Sequence, residues 1–223
     1  TYSWVRKLLS KEELILVKKL RKLVVLTSVY SVFLGLFIIY LAITPLYVVE
    51  GVVEGYIALT RYELKFYGTP VRFDALLSVS YLSISLLILS TYLVFAGVLT
   101  LYLFFRGKEL IAGVRWLFGG GLSALASSGL VIALINRVVS TIVTQLKLDL
   151  NHVTSAGILY LGTSSISTTY PAGYLSSPLV VLIVTLTYVV LAAITYLRMM
   201  IIEEYRLARY PPYREIRYKI VGS

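Results

Sequence analysis

Four runs of the chain, Leu23–Thr44, Ala75–Phe105, Trp116–Ile135 and Leu179–Leu197, contain no Asp, Glu, Lys, Arg or His. Each meets the requirement of about 20 predominantly apolar residues for crossing a hydrocarbon layer ~30 Å thick. Lipid offers no partners to backbone N–H and C=O groups, so each run must close its hydrogen bonds within itself as a helix. A β-barrel would need alternating apolar and polar residues, and these runs do not alternate. The expected fold is therefore an all-α integral membrane protein, a bundle of four transmembrane helices.

The basic residues give the bundle an expected orientation, because Lys and Arg are retained on the cytoplasmic side of a membrane. Segments 1–22, 106–115 and 198–223 together carry sixteen of them, whereas segments 45–74 and 136–178 carry five. Both termini are thus expected inside, in an N-in/C-in arrangement, with the other two segments outside. Lys18, Lys19, Arg21 and Lys22 border the first run, and Arg137 follows the third. All five are expected to meet anionic lipid headgroups. The net charge of +10 needs no nucleic acid to explain it, since the excess sits beside membrane ends.

Cysteine is absent, which removes disulfides, thiolate metal sites and redox pairs. With only two Met, two Asn and one Gln, the composition is poor in thermolabile residues and suggests a thermophile, an archaeon for preference. The chain opens on Thr1 in place of Met, which suggests processing or trimming.

Residues 1–9 place Trp4, Val5, Leu8 and Leu9 where a short interfacial segment would need them, and Ser10 with Glu13 forms a capping box that predicts a helix from Lys11. Pro45 is its expected stop on the outer side. From Tyr56 to Tyr67 the residues alternate, with Arg61, Glu63 and Lys65 on one face and Tyr62, Leu64 and Phe66 on the other. That pattern predicts a half-buried strand, a turn at Gly68–Pro70 and a return strand over Val71–Phe73. Gly157–Tyr170 is also β-prone, and the two outer segments together predict a small extracytoplasmic sheet. Residues 154–177 hold ten Ser or Thr, and no Asn-x-Ser/Thr sequon occurs.

In the third run Gly120, Ala124 and Ser128 recur at every fourth residue, with Gly121, Ser127 and Gly129 beside them. Small residues let helix backbones approach closely in lipid, so this face is expected to pack against another helix of the chain or of a partner. The second run carries Ser78, Ser80, Ser83, Ser85, Ser90 and Thr91; Ser78, Ser85 and Tyr92 fall at sevenfold spacing and could line a polar seam. His152 is the single histidine, which excludes bis-histidine haem and His-rich zinc or copper sites within one chain. Asp149, Asn151 and His152 could combine with Glu50 and Glu54 around a cation, but these residues are read as solvated polar groups, and no metal or cofactor is expected.

One stretch resembles a known family. Arg198, the pair Glu203-Glu204, Leu207, Tyr213 and the basic residues up to Val221 look like the tail of membrane methyltransferases of the isoprenylcysteine carboxyl methyltransferase type, some 25 residues in all. That resemblance implies S-adenosylmethionine as cofactor and an upstream Arg-His-Pro-x-Tyr motif. Thr169-Tyr170-Pro171-Ala-Gly-Tyr174 is the nearest equivalent and lacks the arginine and the histidine. One apolar run, where that family has two, separates Pro171 from Glu203. Four spans with an outer sheet are also similar to the claudin-like tetraspan pattern in architecture, without its Trp, Gly-Leu-Trp and two-cysteine signature.

The expected function is a non-catalytic subunit, assembly factor or scaffold of a larger membrane complex. A transporter or channel formed by oligomerisation is the first alternative. A lipid-modifying membrane enzyme using the Glu203-Glu204 tail is the second.

Overall fold

The computed structural model describes residues 11–50, 53–72, 74–106, 110–145, 167–169, 175 and 177–209. Four long helices dominate: α1 (Lys11–Ile43), α2 (Asp74–Phe105), α3 (Leu110–Gln145) and α4 (Pro178–Arg209). All four are long and apolar enough to cross a membrane, over Lys18–Ile43, Leu76–Phe105, Ile111–Val138 and Pro178–Glu204. Less than half of each such window is buried inside the molecule. Leu26, Phe33, Ile84, Ile88 and Leu179 are among the large apolar side chains that point outward. A helix that is apolar all round, with its outer half exposed, is what a bilayer requires and what water penalises.

The helices form a ring in sequence order, each packed antiparallel on the next, with α4 closing on α1 and α1 also touching α3 across the middle. Tyr188, Leu34, Ile38, Leu41, Leu86, Leu93 and Leu117 fill the centre. A smaller cluster of Leu20, Val24 and Val114, with Tyr196, Met199 and Ile202 against it, seals one end.

The opposite end carries a five-stranded antiparallel sheet: β1 (Tyr47–Glu50), β2 (Val53–Ile57), β3 (Tyr62–Phe66), β4 (Thr69–Val71) and β5 (Ser167–Thr169), in the order β4-β3-β2-β1-β5. Four strands come from the α1–α2 connection. The fifth comes from the α3–α4 connection and pairs with β1, Val48 opposite Thr169, so the two connections share one sheet. Of the stretch Gly157–Tyr170, only these three residues lie within the described part.

The alternation from Tyr56 to Tyr67 is not one strand. It breaks at residues 58–61, where the Ala58 N–H donates to the Arg61 carbonyl and β2 turns back as β3. Ile57, Ala58 and Leu59 are buried in succession, which a single strand with one solvated face does not permit. Leu59 enters the core beneath the sheet, and the Thr60 hydroxyl donates to the Ala42 carbonyl at 2.9 Å. That carbonyl belongs to the last turn of α1, where four acceptors lack partners in the helix. α1 ends at Ile43, two residues before Pro45.

The next turn also differs from expectation. Tyr67 and Gly68 both have positive φ, 46° and 79°, and form a two-residue hairpin loop of the type that matches strand twist. Thr69 and Pro70 are therefore strand, and Pro70 sits on the edge strand β4, where a missing N–H does little harm. Within β3 the alternation holds: Leu64 is buried, while Glu63 and Lys65 are exposed and pair at 3.2 Å.

Candidate functional site

Among the described residues the polar side chains buried inside this bundle are hydroxyls; some bond a carbonyl of their own helix and others join neighbouring helices. The closest junction is between α1 and α2. A β-carbon on Gly35 would lie 2.8 Å from the Ser90 carbonyl oxygen and 2.7 Å from Val94 Cγ2; one on Gly97 would lie 2.6 Å from the Ser28 carbonyl oxygen and 2.7 Å from Val32 Cγ2. The two contacts are reciprocal, and the sequences that make them match. Ser28-Val-Tyr30-Ser-Val32-Phe33-Leu-Gly35 and Ser90-Thr-Tyr92-Leu-Val94-Phe95-Ala-Gly97 share Ser, Tyr, Val, Phe and Gly in register. Run antiparallel, the two copies place each glycine against the other's serine around a local pseudo-twofold axis. Ser28 and Ser90 satisfy their own hydroxyls on the Val24 and Leu86 carbonyls, both at 2.7 Å. The missing side chain on each glycine lets its Hα point at the facing carbonyl, a geometry that favours Cα–H···O contacts.

Both tyrosines of the repeat reach outward from this pair. Tyr30 stacks on Tyr188 of α4, ring centroids 5.8 Å apart, and donates to the Val184 carbonyl at 2.9 Å. Tyr92 packs toward α3, its hydroxyl 2.8 Å from where a β-carbon on Gly119 would be and its ring 6.0 Å from Trp116. Phe33 and Phe95 occupy equivalent outward positions, both about half exposed.

Further hydroxyls complete the ring of helices. Ser31 on α1 donates to the Leu93 carbonyl of α2 at 2.8 Å, and Ser123 on α3 to Leu89 of α2 at 3.0 Å. Thr100 shares its proton between Ala96 of its own helix (2.7 Å) and Gly113 of α3 (3.0 Å). Thr27 and Thr195, both fully buried, meet at 2.9 Å between α1 and α4, and each also lies 2.8 Å from a carbonyl of its own helix. Two protons thus serve three contacts, and either hydroxyl can donate across the interface.

The small-residue face of α3 lies in the middle of this network. Gly120 is buried where a β-carbon would sit 2.9 Å from the Tyr188 hydroxyl, which donates to the Leu117 carbonyl at 3.1 Å. Gly121 faces Ala192 of α4, Ala124 is fully buried, and Ser128 is buried with its hydroxyl on the Leu125 carbonyl. Ser127 is fully buried, and its hydroxyl has no hydrogen-bond partner among the described residues. Gly129 faces away, with open space where a β-carbon would be. The repeat in α1 and α2 was the packing signal to find beside this face; a search for Ser and Gly seven residues apart, compared between spans, exposes it.

Lys18, Lys19, Arg21 and Lys22 are exposed at the end of the bundle away from the sheet, where Arg21 lies over the Phe104 ring at 5.0 Å. Arg106, Arg115 and Arg198 are exposed at the same end. Arg137 is exposed at the sheet end, on α3. The sevenfold seam on α2 does not face the interior: Ser78 and Ser85 are exposed and Tyr92 is half-buried, whereas Ser83 and Ser90 point inward. Glu203 is half-buried and Glu204 exposed near the end of α4. The tail beyond Arg209 lies outside the described residues, as do Asp149, Asn151 and His152. Among the described residues no three His, Cys, Asp or Glu side chains gather as metal ligands would. Compared with protein-family models, with curated proteins and with solved structures, the chain matches none of them.

Proposed function

We propose that this chain is a non-catalytic, multi-pass subunit, assembly factor or scaffold of a larger complex in the cell membrane, with both termini cytoplasmic and the sheet outside. The observation that carries this reading is how the interior hydroxyls are spent. Ser31, Thr100, Ser123, Tyr30 and Tyr188 each donate to a carbonyl of a neighbouring helix. The α1–α2 pair also closes to glycine contact. An interior packed this way serves rigidity, and it leaves the outer apolar surface as the part that meets other molecules. The seven exposed basic residues at the sheet-distal end favour a cytoplasmic placement, and each adds about 1 kcal/mol of attraction to anionic headgroups near the surface.

A second reading, a channel or transporter built by oligomerisation, draws on one specific feature. Ser78, Tyr81 and Ser85 expose hydroxyls on the outer surface of α2, where apolar groups would suit lipid better. Purification from native membranes in mild detergent, followed by identification of what travels with the chain, separates the two. A defined set of other subunits supports the scaffold reading. A homo-oligomer with no other chain supports the channel and overturns the scaffold.

A further inference from the structure

On the outer surface of the bundle, near the sheet, α2 and α3 leave a groove of about 390 Å³ between them. That volume falls within the range of small-molecule sites. Val79 and Leu82 of α2 form one wall and Leu130 and Ala133 of α3 the other, while Ser78 and Arg137 stand at one end. The groove exists because Ala133 is small where its neighbours Leu130 and Leu134 are large. Its walls are apolar and its single charge is terminal. Arg137 lies one residue before the end of the span Ile111–Val138, at the level where an apolar helix surface gives way to headgroups. Among the described residues its guanidinium makes no ion pair.

We propose that this groove seats one anionic phospholipid, with an acyl chain along Leu82, Leu130 and Ala133 and the headgroup phosphate on Arg137. Charge complementarity selects the occupant. A guanidinium presents a planar fork of donors that fits phosphate oxygens bidentately, and a cation left bare beside hydrocarbon is costly. A net negative lipid is preferred over a zwitterionic one, since the choline of the latter would add a second cation beside Arg137. The site is independent of whether the chain works as a subunit or as a homo-oligomer.

The test uses the full chain, delipidated in neutral detergent and titrated with phosphatidylglycerol or phosphatidylcholine of matched acyl chains, with bound lipid counted by native mass spectrometry. The expected result is one phosphatidylglycerol retained with at least tenfold tighter half-saturation than phosphatidylcholine. Arg137→Gln should bring the two lipids level. Ala133→Phe should fill the slot and weaken both, while Leu122→Phe on the exposed surface of the same helix should change neither. Equal retention of both lipids by the unmodified chain, or an undiminished preference in Arg137→Gln, would overturn the site. Should Arg137→Gln fail to fold, Ala133→Phe decides it alone, because undiminished retention of phosphatidylglycerol in that variant rules the groove out.

Discussion

The Ser28 carbonyl oxygen lies 2.6 Å from the point a β-carbon on Gly97 would occupy, and the Ser90 carbonyl oxygen stands in nearly the same relation to Gly35 at 2.8 Å. Both acceptors are helix backbone, so neither can rotate away. An added methyl must push the helices apart. Alanine has the higher helix propensity by about 1 kcal/mol, which favours the substitution. Overpacking against fixed backbone typically costs about 1–3 kcal/mol, and here it wins.

Gly97→Ala and Gly35→Ala should each lower thermal stability in detergent by an amount on the order of 1–2 kcal/mol. Because the first substitution already separates α1 from α2, the second finds part of the room made for it. The double variant should therefore fall short of the sum, with a coupling of at least about 0.5 kcal/mol. Strict additivity would mean that the two contacts are independent and that the pseudo-twofold pair does not act as one joint.

At Gly120 the obstacle is a side-chain tip. The Tyr188 hydroxyl sits 2.9 Å from the would-be β-carbon and is held there by its bond to Leu117. Gly120→Ala should displace it and cost about 1–2 kcal/mol. Tyr188→Phe alone removes one interhelical hydrogen bond, worth about 0.6 kcal/mol in membrane proteins. In the Tyr188→Phe background the alanine no longer meets an oxygen, so most of the cost of Gly120→Ala should vanish. An equal penalty in both backgrounds would place the clash elsewhere.

Ser127 offers the opposite sign. Its hydroxyl is buried without a partner among the described residues, and an unpaired buried polar group costs about 1–3 kcal/mol. Ser127→Ala should raise the unfolding midpoint slightly or leave it unchanged. A loss of stability would reveal a partner for this hydroxyl in the membrane.

The helices were legible because charge exclusion over twenty residues is a demand that lipid imposes on sequence directly. Small residues at every fourth position likewise leave a mark within one helix, and Gly120 and Ala124 of that set are buried. The joint of Gly35 and Gly97 was not legible, because its meaning lies in the match between two helices, and neither copy is conspicuous alone. In the sheet, periodicity misled at residues 58–61. The alternation of residues 61–66 does not extend back through Ile57, Ala58 and Leu59, three apolar residues in a row that are all buried where the loop supplies a donor to Ala42 at the end of α1. That pairing is set by a residue eighteen positions from Thr60, which no local window sees.

The orientation of the bundle yields the last prediction. The sheet end carries four exposed basic side chains, Arg61, Lys65, Arg72 and Arg137, and the opposite end carries seven, from Lys18 to Arg198. Basic residues are retained in the cytoplasm during insertion, so the sheet should face outward. The chain has no cysteine, which makes single-cysteine labelling clean. Tyr67, 78% exposed at the tip of the β3–β4 hairpin, should as Tyr67→Cys react with a membrane-impermeant maleimide added to intact cells. Arg115→Cys, exposed at the other end of α3, should react only after the membrane is permeabilised. Gly68, next to Tyr67, has open space where a β-carbon would be. The reverse pattern, with position 115 labelled in intact cells and position 67 protected, would invert the bundle and move the basic ring outside. The Glu203–Glu204 segment would move with it, away from any cytoplasmic cofactor.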